Sequence, residues 1–254
     1  MRVVVDRGEP FFYPGGDIGC LLIHGFTGAP EEMRWMGKYL AEQGFTVLGV
    51  RLFAHATQVA DMNRARWEDW LANAEDGYHM LRGLASQVVV IGMSMGGALT
   101  LLLAREFEPA GILVMATPIR IPDNRVERIR PLLPLISKVM PTIRLPGGSD
   151  WADKEAEKLQ LHYHEIAVRS AAELHDLLGE MRRSLGRVKA PALLIYAKGD
   201  LGTPPNAAHF ILEQLGSSDK QILWLENGGH NIARDAGREQ AFEAAAEFIR
   251  RITA

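Results

Sequence analysis

Apolar residues along this chain fall into short unbroken runs separated by amphipathic stretches. The runs are Cys20 to Ile23, Phe45 to Val50, Val88 to Ile91, Gly111 to Ala116, Ala192 to Tyr196 and Gln221 to Leu225. Runs this short, without polar alternation, predict strands covered on both faces, as in a parallel sheet. Between them, Trp67, Trp70, Leu71, Ala74, Tyr78 and Leu81 recur at helical spacing and place one apolar stripe towards a sheet. Similar stripes lie at Ile211, Leu212 and Leu215, and at Phe242, Phe248, Ile249 and Ile252. Strands alternating with helices predict right-handed βαβ units and a doubly wound, mostly parallel α/β sheet. Ligands of such sheets bind beyond the carboxyl ends of the strands.

The alternation stops after Thr117 and Pro118. Up to about Ser170 there is no strand signal, and Pro122, Pro131, Pro134, Pro141 and Pro146 cut the chain into short pieces. Asp150 is placed to cap a helix beginning near Trp151. The expectation is a small helical cap at 118–170, inserted into a core made of 1–117 and 171–254. A further helix, striped by Leu174, Leu177, Leu178, Met181 and Leu185, then leads back to the sheet through Pro191.

Composition narrows this picture. With 254 residues, 47% of them hydrophobic, one substantial core is expected. A net charge of −3 offers no general attraction to phosphate backbones, so nucleic acid is not an expected partner. Met1 to Pro10 carries too many charges for a signal peptide, and no uncharged apolar run reaches membrane length. Cys20 is the sole cysteine and sits within an apolar run, where a buried inert thiol is expected. Together these predict a cytoplasmic protein without stable membrane insertion. No His-Glu-x-x-His, cysteine cluster or Gly-x-Gly-x-x-Gly after a strand occurs, so neither a metal nor a cofactor is expected.

The candidate chemistry begins at Gly92, Ser94 and Gly96, a G-x-S-x-G pattern directly after a predicted strand and before a predicted helix. A serine at so sharp a turn needs small neighbours two residues away, and the turn lifts its hydroxyl above the sheet edge. Without that context the same pattern describes a turn serine at a helix start. A serine nucleophile needs a base and an orienting carboxylate, in the chain order serine, acid, histidine. His230 follows the last predicted strand in Glu226-Asn-Gly-Gly-His230, where Gly228 and Gly229 let the loop bend back over the sheet; it is the candidate base. Asp200 ends the run before it, at the carboxyl end of the penultimate strand, and is the candidate acid; Asp176, Asp219 and Asp235 are more weakly placed. The tetrahedral oxyanion needs backbone donors. Met95 N–H, after the nucleophile, is one candidate, and Phe26 N–H, in the His24-Gly-Phe-Thr-Gly28 turn after the first strong strand, is the other.

The combination of HGFTG, GMSMGG, the aspartate of Lys198-Gly-Asp200 and Gly-Gly-His230 resembles the α/β-hydrolase superfamily. More narrowly, it is similar to small bacterial carboxylesterases and monoacylglycerol lipases with a short helical cap. The resemblance runs from about Phe11 to the C-terminus and includes the segment Trp67 to Trp70. It implies hydrolysis of carboxylic esters of short to medium acyl chains through an acyl-enzyme, with monoacylglycerol as the alternative substrate. It further implies Ser94, Asp200 and His230 as triad and the amides of Phe26 and Met95 as oxyanion hole. Carbon–carbon bond hydrolysis and perhydrolysis use the same triad, because fold does not determine chemistry. Two departures stand out. Relatives commonly carry Gly-His-Gly where this chain has Ala54, His55 and Ala56, and a valine is frequent where it has Thr203. The first predicts a differently shaped loop.

Residues 120–145 mix Ile129, Leu132, Leu133, Leu135, Ile136, Val139 and Met140 with Arg120, Arg125, Arg128, Arg130, Lys138 and Arg144, opposed by Asp123 and Glu127. An apolar inner face there would hold an acyl chain; a solvated basic face over ordinary packing is the plainer alternative. Trp67 and Trp70 fit the helix stripe and are expected in the core rather than in the site.

Overall fold

The computed structural model describes residues 3–121, 128–144 and 148–254. Pro122, Asp123, Arg125, Glu127, Leu145 and Pro146 of the expected cap lie outside the described residues.

All six apolar runs form strands of one sheet. They are β2 (Ile18–Ile23), β3 (Thr46–Val50), β4 (Gln87–Met93), β5 (Gly111–Met115), β8 (Ala192–Ala197) and β9 (Lys220–Leu225). A short strand β1 (Phe11–Tyr13) adds an edge, and the order across the sheet is β1-β3-β2-β4-β5-β8-β9. Every pairing is parallel except β1 with β3. At three residues, with Phe11 buried and Phe12 exposed, β1 lacks the unbroken apolar run that marks its neighbours.

Side chains alternate between the two faces of the sheet, and each face has its own core. Val88 and Val90 of β4 join Trp70, Leu99, Leu102, Leu177 and Leu194 on one side. Val89, Ile91 and Met93 join Met36, Leu40, Phe242, Phe248 and Ile249 on the other. The helices Trp67–Arg82, Met95–Phe107 and Val168–Ser184 cover the first face; Arg34–Glu42 and Arg238–Thr253 cover the second. The predicted helical stripes thus lie on the sheet.

The segment expected to be purely helical also holds strands. β6 (Thr142–Arg144) pairs antiparallel with β7 (Glu165–Ala167), Ile143 opposite Ile166. Three-residue strands carry no periodicity, which is why the pattern hid them. Short helices span Leu133–Ile136 and Lys154–Lys158, and Leu133 packs with Val168 and Ala172 at the start of the long Val168–Ser184 helix. The expected cap residue is also displaced. Asp153, not Asp150, caps the Lys154–Lys158 helix, accepting the N–H groups of Glu155 and Ala156. Asp150 is turned to other partners. Among the described residues, no helix is long and apolar enough to cross a membrane.

Candidate active site

The sheet order reverses between β2 and β4: chain moves from β2 outward to β3, then back past β2 to β4 and on to β5. The carboxyl ends flanking such a reversal leave a crevice. The HGFTG turn leaves β2 and Ser94 leaves β4, so both arrive there.

Ser94 stands between β4 and the Met95–Phe107 helix with φ 55° and ψ −117°, a left-handed backbone that an L-residue rarely adopts. Sequence dictates the elbow through what surrounds it. A Cβ at Gly92 would strike the Gly96 carbonyl, and one at Gly96 would strike the carbonyl of Ile23. Ser94 N–H donates to Met115 O at 2.8 Å, holding the strained residue against β5.

Its hydroxyl lies 2.9 Å from His230 Nε2. On the far side of the ring, Nδ1 lies 3.1 and 3.0 Å from the two Asp200 oxygens. With Nδ1 carrying the proton toward Asp200, Nε2 is free to accept from the serine. The Asp200 side chain is fully buried, and its Oδ1 also accepts the N–H groups of Gly202 at 2.7 Å and Thr203 at 2.9 Å. Thr203 donates its hydroxyl to Ala116 O at 3.1 Å and sits 3.4 Å from His230 Nδ1. Burial opposes a charge on His230, but the hydrogen bond and charge of Asp200, then the charges of Asp150 and Glu32, outweigh it and raise its pKa above the ordinary 6.5.

The HGFTG turn is braced from behind. Buried His24 has Nδ1 2.9 Å from Gly25 O, and its Nε2 accepts Leu52 N–H at 3.2 Å. Burial pushes its pKa down to about 4, so the ring is neutral. Fully buried Trp70 stands edge-on to Phe26, ring centroids 6.0 Å apart, and donates Nε1–H to Phe53 O. Trp70 is therefore core, as its stripe predicts, and also the wall behind the Phe26 ring. A Cβ at Gly25 would lie 3.4 Å from Ser94 Cβ, so the turn passes directly beside the serine. Among the described residues the N–H groups of Phe26 and Met95 have no backbone acceptor in loops or turns.

Ala54 and Ala56 both bend the loop sharply. Their φ values are 63° and 55°, the left-handed conformation glycine would take, so the bends persist without glycine. Between them, buried His55 places its ring 4.9 Å from that of His24 and 5.8 Å from that of Trp70.

Described residues between β5 and the Val168–Ser184 helix reach this crevice through hydrogen bonds to carboxylates. Asp150 Oδ2 accepts His230 N–H at 2.9 Å and Leu201 N–H at 3.1 Å, touching both the loop of His230 and the loop of Asp200. Asp235 accepts Ala152 N–H, Asp153 N–H and Gly229 N–H, at 3.0, 2.7 and 2.6 Å. Tyr163 N–H donates to Thr27 O at 2.9 Å. The open cavity beneath, about 470 Å³, is lined by Phe26, Ser94, Trp151, His162, Gly202 and His230 among others. Thr27 and His162 also border a second, largely apolar pocket of about 320 Å³, walled by Ala29, Val59, Leu161 and Tyr163.

Sequence reading had singled out Ser94, Asp200, His230, Phe26 and Met95. Ser94, His230 and Asp200 stand in hydrogen-bonded sequence, Met95 begins the helix after the serine, and Phe26 lines the same cavity. Glu32 carries no mark in the sequence, and Asp150, Thr203 and Asp235, which the sequence offers as a helix cap, a departure beside the acid and a weaker candidate acid, make contacts here that it does not predict. Their partners are backbone groups brought near by folding, and no motif marks such contacts.

A family model described as serine aminopeptidase, S33, matches residues 18–237. A thermostable monoacylglycerol lipase of Bacillus sp. (strain H-257) is 32% identical over 248 residues, covering 97% of this chain and 96% of that protein. A carboxylesterase of Bacillus subtilis (strain 168) is 27% identical over 253 residues, 99% of each chain. A solved structure from work on LipS and LipT, two metagenome-derived lipolytic enzymes, superposes with a TM-score of 0.90 at 31% identity, covering 98% of this chain and 100% of that one.

Proposed function

Because the chain belongs to the S33 serine aminopeptidase family of α/β-fold serine hydrolases, we propose that it hydrolyses carboxylic esters of short to medium acyl chains, with Ser94, His230 and Asp200 as its catalytic triad. The observation that carries this reading is the unbroken relay from Ser94 Oγ to His230 Nε2 at 2.9 Å and from Nδ1 to Asp200 at 3.0 Å. In the reaction, His230 takes the serine proton as Oγ attacks the ester carbonyl, and buried Asp200 holds the ring in the tautomer that leaves Nε2 open. Charge developing on the carbonyl oxygen is met by Phe26 N–H and Met95 N–H. One such donor is typically worth roughly 10²–10³-fold in rate. His230 then protonates the departing alcohol, and water, activated by the same ring, releases the acid from Ser94.

Residues 118–170 act in this reading as a cap over a core formed by 1–117 and 171–254, anchored through Asp150 and Asp235. The apolar side pocket bordered by Thr27 and His162 favours monoacylglycerol as a second substrate, since an acyl chain fits there while a small polar alcohol stays near Ser94. A cytoplasmic site of action completes the proposal, supported by a single buried free thiol.

The test is a rate series over p-nitrophenyl esters of increasing acyl length, with 1-monoacylglycerols, an aminoacyl p-nitroanilide and a peroxide-trapping assay alongside. Ester turnover that disappears in Ser94→Ala supports the reading. Turnover confined to the anilide, or full ester activity in Ser94→Ala, rejects it.

A further inference from the structure

One ionisable side chain at the cavity has no part in that chemistry. Glu32, on the turn of 3₁₀ helix Pro30–Met33, is 4% exposed, yet borders the same cavity as Ser94 and His230. Its Oε2 accepts the N–H of Gly25 at 3.0 Å, and its Oε1 accepts Gln160 Nε2–H of the inserted segment at 3.4 Å. The turn is shaped to receive it, because a Cβ at Gly28 would land on the Glu32 carboxyl. A carboxylate is an expensive group to bury beside a nucleophile, and a backbone N–H needs no charge to satisfy it.

We infer that Glu32 is the positioning residue of the HGFTG turn. By holding Gly25 N–H it fixes the plane of the His24–Gly25 peptide, the one preceding the peptide that bears Phe26 N–H; with His24 Nδ1 held 2.9 Å from Gly25 O on the other side, this limits the direction in which Phe26 N–H faces the carbonyl oxygen bound at Ser94. Through Gln160 it ties that direction to the seating of the inserted segment. This inference rests on the oxyanion role given above to Phe26.

The consequence is a rate effect without a binding effect. A donor swung away from the oxyanion weakens the transition state while leaving the ground-state contacts of the ester intact. Glu32 also faces His230 across the cavity, with Glu31 on its own turn as the other charged neighbour and neutral Gln160 from the insertion. Its negative charge favours the imidazolium form of His230, as does that of Asp150. Burial pushes the Glu32 carboxyl up to about 7, so this charge is present in the upper part of the working range.

The experiment compares wild type, Glu32→Ala, Glu32→Gln and Gln160→Ala on a soluble p-nitrophenyl ester, with Ser94→Ala in parallel. In Glu32→Ala, kcat falls about 10–100-fold with KM within about twofold. Glu32→Gln, whose amide oxygen still accepts from Gly25 N–H, recovers activity to within about threefold and shifts the acid limb of the kcat/KM profile to lower pH. Gln160→Ala gives a smaller fall in kcat. The inference is overturned if Glu32→Ala keeps wild-type kcat, if Glu32→Gln is as slow as Glu32→Ala, or if the loss appears in KM alone. Covalent labelling of Ser94 by a fluorophosphonate separates the two readings. If Ser94→Ala remains active, the triad assignment fails; if Ser94 labels normally in wild type and the Glu32 variants behave otherwise than stated, only the positioning role fails.

Discussion

The carboxylate of Asp150 accepts the backbone N–H of His230 at 2.9 Å, joining a residue of the inserted segment to the residue that faces the serine. The same oxygen accepts Leu201 N–H, one residue beyond Asp200. A single side chain thus spaces the loops after β8 and β9, and Gly229 has no Cβ because one would collide with Asp150. Asp150→Ala removes the shared acceptor, and kcat on a soluble ester is expected to fall about tenfold, as for a displaced catalytic group. Asp150→Asn keeps an acceptor oxygen and should retain most of the activity. Equal losses in both variants would show that charge, not the contact, matters.

The raised pKa of His230 sets the acid limb of kcat/KM. Because only the neutral ring accepts the serine proton, activity falls as pH drops, with an apparent midpoint above the ordinary histidine value of 6.5. Removing the negative charge of Asp150 by Asp150→Asn disfavours the imidazolium, so the midpoint moves to lower pH. A pH–rate series from 5 to 9 on both proteins checks the direction, and an upward shift would contradict it.

Glu32 makes a separate prediction about stability. Its folded-state value, about 7, lies above the ordinary 4.5, so the folded protein favours the neutral acid. The stability this carboxyl contributes is complete below about 4.5 and lost as pH rises through about 7. Glu32→Gln cannot ionise, so it should be more stable than wild type at pH 8, by on the order of 1–3 kcal/mol. Near pH 4.5 the gap should close. Urea denaturation at both pH values measures it, and a gap independent of pH would refute the assignment.

Ala54 and Ala56 hold left-handed backbone that glycine adopts without steric cost. Ala54→Gly and Ala56→Gly should each stabilise the fold by about 0.5–1 kcal/mol, the lost strain being partly offset by the greater freedom of glycine in the unfolded chain. Thermal melts read the change. Gly96→Ala has the opposite sign, since its Cβ would meet the Ile23 carbonyl. That variant is expected to lose ester hydrolysis and several degrees of Tm.

Much of this was legible in the residue order. The six strands from β2 to β9 in the main sheet, the four helical stripes and the elbow are local signals, written within windows of a few residues. Ser94 needs only its glycine neighbours and flanking elements to be found, and Asp200 and His230 follow because each ends or follows a strand in the right order. β1, β6 and β7 were not legible, being three residues long each and too short for any period to appear. Asp150 was misread for a physical reason. An aspartate before a helix is a good cap in isolation, but Asp153 stood three residues nearer the helix, and Asp150 found backbone donors about 50 and 80 residues away in the chain. The left-handed bends at Ala54 and Ala56 were not legible either. Local preference argues against left-handed alanine, and packing of His55 against His24 and Trp70 overrides it.

Residue order alone therefore pointed to the three side chains that the fold brings together, because a strained elbow and the strand ends that bear Asp200 and His230 leave marks in adjacent residues. Folding decided how far apart those groups stand, how they are charged, and what holds them. The 2.9 Å approach of His230 to Ser94, the raised carboxyl of Glu32 and the grip of Asp150 on two loops all depend on groups distant in the chain meeting in one crevice. Hydrogen bonds and desolvation act over a few ångströms of space, and only the packed sheet with its inserted segment brings those partners within that range.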